Sequence, residues 1–402
     1  MISSFSIIAQ NIRETQEMLM PVDKKRGHLF IGIPKETTLQ ENRVALVPTS
    51  VRTLTARGHR ILVEAGAGEK SNFTDHEFSE AGAEIAHSSK AVYQADIILK
   101  SAPPTLDEID FCVPNQIIIS PLQAPIITEE YINKLRQKRV IALAMEYIRD
   151  EIGTYPVVRI MSEIAGMSAM LTAAELLSVG RGGVGVLLGG VAGVPPAKVV
   201  ILGAGVAAEF ATRVALGLGA EVRIFDNNIY KLMRLQNQVG RQLFTSAIDP
   251  AVLERELMSA DAAIGAIHST NARTPMIVTN EMVAKMRPGS VIIDISIDQG
   301  GCFETSQVTT HDKPTYRLND VIHYCVPNIA SRVPRTASNA ISHILMPLLL
   351  KSEETNGFYN LIAQSAGLMN GIYVFKGTLT NKYLSELFGI RYTNIELLVT
   401  NN

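Results

Sequence analysis

Cysteine is scarce in this 402-residue chain, with only Cys112, Cys302 and Cys325. They are widely spaced and contain no C-x-x-C pair, which argues against both a disulfide framework and a structural zinc site and points to a reducing compartment, the cytoplasm. Net charge is also nearly absent, at -2, so no polyanionic partner such as nucleic acid is expected. Low-complexity tracts and short-period repeats are missing, and so is an apolar run of membrane-spanning length: glycine, proline or charge interrupts each candidate early. Near the N-terminus, Arg13, Glu14 and Glu17 stand where a signal peptide needs unbroken apolar residues, so neither export nor a membrane anchor is expected. The loose helical spacing of Ile7, Ile8, Ile12, Met18 and Leu19 suggests an amphipathic helix or arm over residues 1–28.

What the chain does have is apolar residues, 47% of the total, and enough length for two domains. Short apolar runs bounded by turn residues alternate with helix-like segments, the pattern of βαβ units around parallel sheets. Strands are expected at 29–33, 61–64, 96–100, 117–119 and 140–142, and again at 199–202, 221–225, 262–266 and 291–295, with helices at Pro48–Arg57 and Glu129–Gln137 in the gaps. A connecting helix over Ser162–Leu177, a flexible glycine-rich loop over Gly180–Gly193 and a second long helix over Ala337–Leu350 suggest where the chain passes between domains. The expected fold is α/β, with two Rossmann-like domains whose helix-flanked parallel sheets are joined by long helices. One domain takes residues 29–160 and 335–402 and the other 161–334, after an extension over 1–28.

The most specific motif follows Val199–Leu202. Gly203-Ala204-Gly205-Val206-Ala207-Ala208 reads G-x-G-x-x-A between a strand and a helix, and a second strand ends at Asp226. Gly203 suits a tight turn, Gly205 lets the backbone approach a pyrophosphate, and Ala208 permits close helix–strand contact. Phosphates would meet the helix N-terminus at Val206. Asp226 is placed to bond both ribose hydroxyls and to repel a 2′-phosphate, so NAD is favoured over NADP.

Wider stretches carry a family resemblance: Ile31–Glu36 with Glu41-Asn42-Arg43-Val44-Ala45, Ala65–Gly68, Met161–Gly166, Gly182–Val191, Ile297–Glu304 and Tyr324–Asn328. From about Leu29 onward the chain resembles alanine dehydrogenase and the related N-terminal part of the nicotinamide nucleotide transhydrogenase α subunit, with the Asp298 segment and Tyr324–Asn328 leaning to the dehydrogenase branch. The resemblance implies oxidative deamination of an L-amino acid to a 2-oxo acid with NAD, no metal, and a homo-oligomer, hexamer or dimer. It assigns Arg43 to the substrate carboxylate, Asp298 to the catalytic base, and Ser162 and Asn328 to the cofactor's surroundings, with Met161 beside them.

Two positions depart from that pattern. Family dehydrogenases carry Lys-Val-Lys-Glu-Pro where this chain reads Lys100-Ser101-Ala102-Pro103-Pro104, and a histidine where it has Gln123. The lysine that polarises the keto oxygen is replaced by Ala102, and glutamine cannot exchange a proton near neutral pH. If strand alternation puts Lys100 on the side of Ala102, its long stem can reach the same pocket and substitute; Lys100, Gln123 and Asp298 are therefore the catalytic candidates. His268, His311 and His323 are further proton carriers to test. Two alternatives stay open: a catalytically inactive NAD-binding regulator, and hydride exchange between nicotinamides as in a transhydrogenase.

Overall fold

A computed structural model describes residues 27–38, 40–123, 127–269 and 273–399, and the expected N-terminal helix or arm lies outside them. In chain order the strands are β1 (Phe30–Ile33), β2 (Arg60–Glu64), β3 (Glu84–Ala86), β4 (Ile97–Leu99), β5 (Ile117–Ser120), β6 (Ile141–Ala144), β7 (Lys198–Leu202), β8 (Glu221–Phe225), β9 (Phe244–Ser246), β10 (Ala262–Gly265), β11 (Val291–Asp294), β12 (Thr315–Leu318), β13 (Val321–Tyr324), β14 (Ile372–Phe375) and β15 (Thr378–Leu379). They form two sheets, ordered β15-β14-β6-β5-β4-β1-β2-β3 and β12-β13-β11-β10-β7-β8-β9.

Within each sheet six strands pair in parallel, and the order on either side of β1 or of β7 reverses, the doubly wound Rossmann arrangement. The sheets are not purely parallel: β14 and β15 close one edge and β12 one edge of the other, all antiparallel. Each of those edges is a hairpin, and two-residue turns make them. Asn319 and Asp320 both take positive φ between β12 and β13, as do Lys376 and Gly377 between β14 and β15.

Both faces of each sheet are covered, which is why the strands read as continuous apolar runs. In the first sheet Ile31, Ile33, Ile61, Val63, Ile97 and Leu99 pack into one core while Ile98, Ile118 and Ala142 pack into the other. In the second, Val199, Ile201, Val222 and Ile224 face one way and Val200, Leu202, Phe225 and Ile292 the other.

Two long helices, Pro156–Leu176 and Pro334–Lys351, pack against each other and carry the chain between the sheets. The first begins six residues before the expected Ser162, because Pro156 sits in its first turn, where the missing N–H costs nothing. Its length and apolar composition would suffice to cross a bilayer, but half of its most apolar stretch is buried inside the protein. Gly166 explains part of that burial: a Cβ there would lie 2.1 Å from the Ala207 carbonyl oxygen, so glycine lets this helix lie directly on Val206–Gly217. The glycine-rich segment expected as a loop does lack strand and helix apart from one 3-10 turn, Val179–Arg181. Several of its glycines serve close packing, since a Cβ on Gly183 or Gly189 would meet the backbone of Leu176 or Leu218 within 2.3 Å.

Candidate functional site

In a doubly wound sheet, ligands collect beyond the carboxyl ends of the strands where the order reverses. In the second sheet that point lies between β7 and β10, and the G-x-G-x-x-A turn occupies it. Gly203 has φ 108°, and a Cβ would sit 2.4 Å from the Ala266 oxygen at the end of β10. Gly205 caps the helix Val206–Gly217, and the space its Cβ would fill is open. Ala208 is buried against the sheet. A pyrophosphate therefore has an unobstructed approach to the amides at the start of that helix, as a dinucleotide requires. At the tip of β8, Asp226 accepts hydrogen bonds from the Ala204 amide at 2.7 Å and the Asn228 amide at 2.7 Å, which fix its carboxylate beside the turn.

The reversal in the first sheet lies between β1 and β4, and Glu36 and Lys100 follow those two strands. β4 ends at Leu99 and the chain bends at Ser101 and Ala102, so strand alternation does not carry Lys100 and Ala102 to one face as expected. Lys100 is fully buried, with Nζ 2.9 Å from Glu36 Oε2 and 2.8 Å from Glu108 Oε1. Burial would depress its pKa, but the two carboxylates outweigh that and hold it charged. Glu36 also accepts the Ser101 and Ala102 amides. Lys100 thus ties β1, β4 and the helix Leu106–Asp110 together, and Ala102 beside it is buried and apolar.

Gln123 ends the β5 connection with φ 51°, and its amide, with that of Leu122, donates to Glu146 Oε1 at 3.1 and 2.7 Å. Glu146 follows β6; Oε2 is buried without a hydrogen-bond partner among the described residues, and desolvation pushes the carboxyl above its ordinary value despite those amides.

Arg43 is buried, and one edge of its guanidinium is taken by Glu41, with Nε 2.7 Å from Oε1 and Nη2 2.5 Å from Oε2. Nη1 lies 3.1 Å from Met161 Sδ, and Nη2 is 3.4 Å from the Ser101 carbonyl oxygen. The Nη1–Nη2 edge points to neutral or weak acceptors, so it is the edge on which an incoming carboxylate can dock. Met161 and Ser162 lie in the second turn of Pro156–Leu176, not at a helix start, so Ser162 is no cap.

Asp298 comes from the other sheet. β11 stops at Asp294, and a 3-10 turn, Ile295–Gln299, presents Asp298 at its far end. Its side chain is open to solvent yet ringed by protein, and that desolvation raises its pKa, opposed by the Asn328 amide at 2.9 Å and by the Arg43 charge. The Arg43 charge thus acts on Asp298 across the seam between the sheets, although the two form no ion pair. Asn328, in the left-handed conformation at φ 56°, also donates its side-chain amide to Glu41 Oε2 at 2.7 Å.

Sequence reasoning missed Glu41 and Asp294. Buried Asp294 accepts from the Ser296 and Cys302 amides at 3.0 and 2.9 Å and from Ser306 Oγ at 2.7 Å, bracing the turn that carries Asp298. Its place at the end of an apolar strand was the available signal, since a carboxylate there must find donors. Of the three candidate histidines, His311 lies at the seam, bonded to the Asn328 backbone. His323 is buried, bonded to Thr305 Oγ1 and the Val321 carbonyl and stacked on Tyr316, and burial lowers its pKa. His311 and His268 are also lowered by burial.

The chain is similar to known proteins along most of its length. Residues 32–165 match the family model described as alanine dehydrogenase/PNT, N-terminal domain, and residues 169–382 the corresponding C-terminal domain. Alanine dehydrogenase of Mycolicibacterium smegmatis is 38% identical over 367 residues, covering 91% of this chain and 98% of the relative. Among solved structures, an L-alanine dehydrogenase superposes with a TM-score of 0.83 at 36% identity over 89% of this chain and 99% of the other. A transhydrogenase from Sinorhizobium meliloti gives 0.74 at 26% identity over 88% and 99%.

Proposed function

The chain belongs to the alanine dehydrogenase/PNT family, and on that premise we propose that it deaminates an L-amino acid to its 2-oxo acid, and the reverse, in a pocket altered from that of its relatives at Ala102 and Gln123. It is an NAD-dependent oxidoreductase of the alanine dehydrogenase kind. Residues 161–334 form the nucleotide half and residues 29–160 with 335–402 the substrate half. NAD, when bound, supplies the hydride chemistry, and Gly203, Gly205, Val206, Ala208 and Asp226, with Ser162 and Asn328 nearby, would hold it.

The remaining work falls to side chains already in place. Arg43 takes the substrate carboxylate on its Nη1–Nη2 edge, which fixes the Cα and its nitrogen relative to the cleft. Asp298 removes a proton from the attacking water and returns it as the carbinolamine collapses, the acid–base role its raised pKa suits. Gln123 hydrogen-bonds the substrate without exchanging a proton. Lys100 acts through Glu36 on the Ser101–Ala102 backbone and is a positioning residue in this reading, not the electrophile. With lysine and histidine gone, the pocket loses positive charge and gains room, which suits a side chain bulkier than methyl.

The carrying observation is the hydrogen-bonded chain Arg43–Glu41–Asn328–Asp298, which runs from the first sheet to the second. Val179, Leu187, Val191 and Val194 are exposed on one glycine-rich segment, and such apolar exposure supports assembly of several copies, hexamer or dimer. The test is NADH carrying deuterium at C4, ammonium and a panel of 2-oxo acids from pyruvate upward in side-chain size. Deuterium at the product Cα supports the reading. Ala102 and Gln123 give a second reading, an inactive NAD-binding regulator, its specific support; NADH binding with no transfer to any acid favours it.

A further inference from the structure

We propose that Glu41 is the positioning residue that couples the carboxylate clamp Arg43 to the base Asp298, and so sets the distance between the two halves of the site; this rests on the roles given to those two residues above. Glu41 is buried at the seam between the sheets and accepts from five donors. Three belong to Arg43: the amide at 2.9 Å, Nε at 2.7 Å and Nη2 at 2.5 Å. The other two come across the seam, Asn328 Nδ2 at 2.7 Å and Ser331 Oγ at 2.9 Å. Asn328 in turn gives its backbone amide to Asp298. A single carboxylate thus orients the arginine edge offered to substrate and, through one asparagine, anchors the base.

Two features separate this from an ordinary structural ion pair. Glu41 uses both oxygens on the arginine's Nε–Nη2 edge, leaving the Nη1–Nη2 edge presented, so it aims the guanidinium instead of quenching it. Its neighbour Asn42 crosses the same seam, its amide bonding Ser331 Oγ at 2.8 Å and its side chain the Ser331 carbonyl at 3.2 Å. Contacts from Gln40 reach Asp312 and the His311 amide, and His311 in turn bonds the Asn328 backbone, so Gln40 belongs to the same seam; the exposed pair of Arg60 with Glu84 joins β2 to β3 at the sheet edge and bonds neither Arg43 nor Asp298.

Glu41→Gln keeps the shape but turns one acceptor into a donor facing Arg43 or Asn328. Wild type, Glu41→Gln, Glu41→Asp and Arg60→Ala, as full-length proteins, are compared in NADH affinity, in pyruvate affinity of the NADH complex by fluorescence quenching, and in amide hydrogen exchange. Glu41→Gln is expected to bind NADH as wild type does, to weaken pyruvate at least tenfold, and to speed exchange at 328–331 and 297–299. Where turnover is measurable, the acid limb of kcat/KM moves to higher pH, because a slackened Asn328 amide no longer opposes the raised pKa of Asp298. Glu41→Asp should recover part of each loss, and Arg60→Ala, which removes an exposed ion pair at the sheet edge, should change none. Equal effects of Arg60→Ala and Glu41→Gln, or Glu41→Gln with unchanged pyruvate affinity and unchanged exchange near Asp298, overturn the proposal. A wild type that neither binds nor reduces any 2-oxo acid contradicts the functional reading instead, and the exchange data still decide the role of Glu41.

Discussion

The two strand-order reversals of this molecule contrast. At β7/β10 the site is made by consecutive residues, Gly203–Ala208, with one distant acid, Asp226. At β1/β4 it is made by Glu36, Arg43, Lys100, Ala102, Gln123 and Glu146, from the ends of four strands, and it is complete only with Asp298 from the other sheet. A ligand held by backbone amides needs a local shape, which a short motif can encode. A ligand held by side chains needs their spacing, which only the folded sheet fixes. Under the proposed function, replacement of the relatives' lysine and histidine by Ala102 and Gln123 leaves the fold and the cofactor turn intact and would change what can react at the side-chain site.

That contrast breaks most directly at Asp298. Asp298→Asn keeps the side chain's size and the acceptor for the Asn328 amide, so NADH affinity should hold while kcat falls about 10²–10⁴-fold, the usual weight of acid–base catalysis. In wild type the raised pKa places the acid limb of kcat/KM above the ordinary aspartate value, with activity lost as pH falls through it; a limb unmoved in Asp298→Asn would assign it elsewhere. Lys100→Met comes next: it leaves Glu36 and Glu108 buried without their cation, and unfolding by denaturant should show a loss of about 3–5 kcal/mol. The sign with pH follows. Glu36, whose carboxyl burial already raises, loses the Lys100 charge that opposes the rise, so the variant is most stable at low pH and weakens as pH climbs from the unfolded value through the raised Glu36 value. A well-folded Lys100→Met with abolished turnover would return Lys100 to the chemistry. Asp226→Asn tests the local site and should weaken NADH by about 1.5–3 kcal/mol, read by calorimetry, with NADPH weakened less. Gln123→His is the mildest: it should add a titration near pH 6.5 to the kcat/KM profile with little change in rate, since Ala102 still lacks the lysine.

How much of this was legible in the sequence follows the same division. Gly203 to Asp226 could be read residue by residue because strand, turn, helix and acid are contiguous. Most long strands were legible because burial on both faces leaves unbroken apolar runs. The three-residue strands β3 and β9 mix polar and apolar residues at the sheet edges and leave no apolar run, unlike the equally short but wholly apolar β4. The hairpins at Asn319-Asp320 and Lys376-Gly377 did carry a turn signal, polar or glycine pairs between apolar runs, that was not used. Arg43 and Asp298 were reached through resemblance, since nothing local says that residues 255 positions apart meet. The alternation assumed for Lys100 failed because the strand ends one residue earlier, at Leu99. Its actual partners, Glu36 and Glu108, lie 64 residues before it and 8 after it, and only the fold joins them.

The central claim is that one ligand cleft is closed by groups from both sheets. A crystal structure with NADH and a 2-oxo acid tests it. The expected result is a pyrophosphate at the Gly205–Val206 amides, the acid's carboxylate on the Nη1–Nη2 edge of Arg43, and its carbonyl carbon beside both the nicotinamide and Asp298. A 2-oxo acid bound away from Arg43, or a nicotinamide directed away from Asp298, would contradict it.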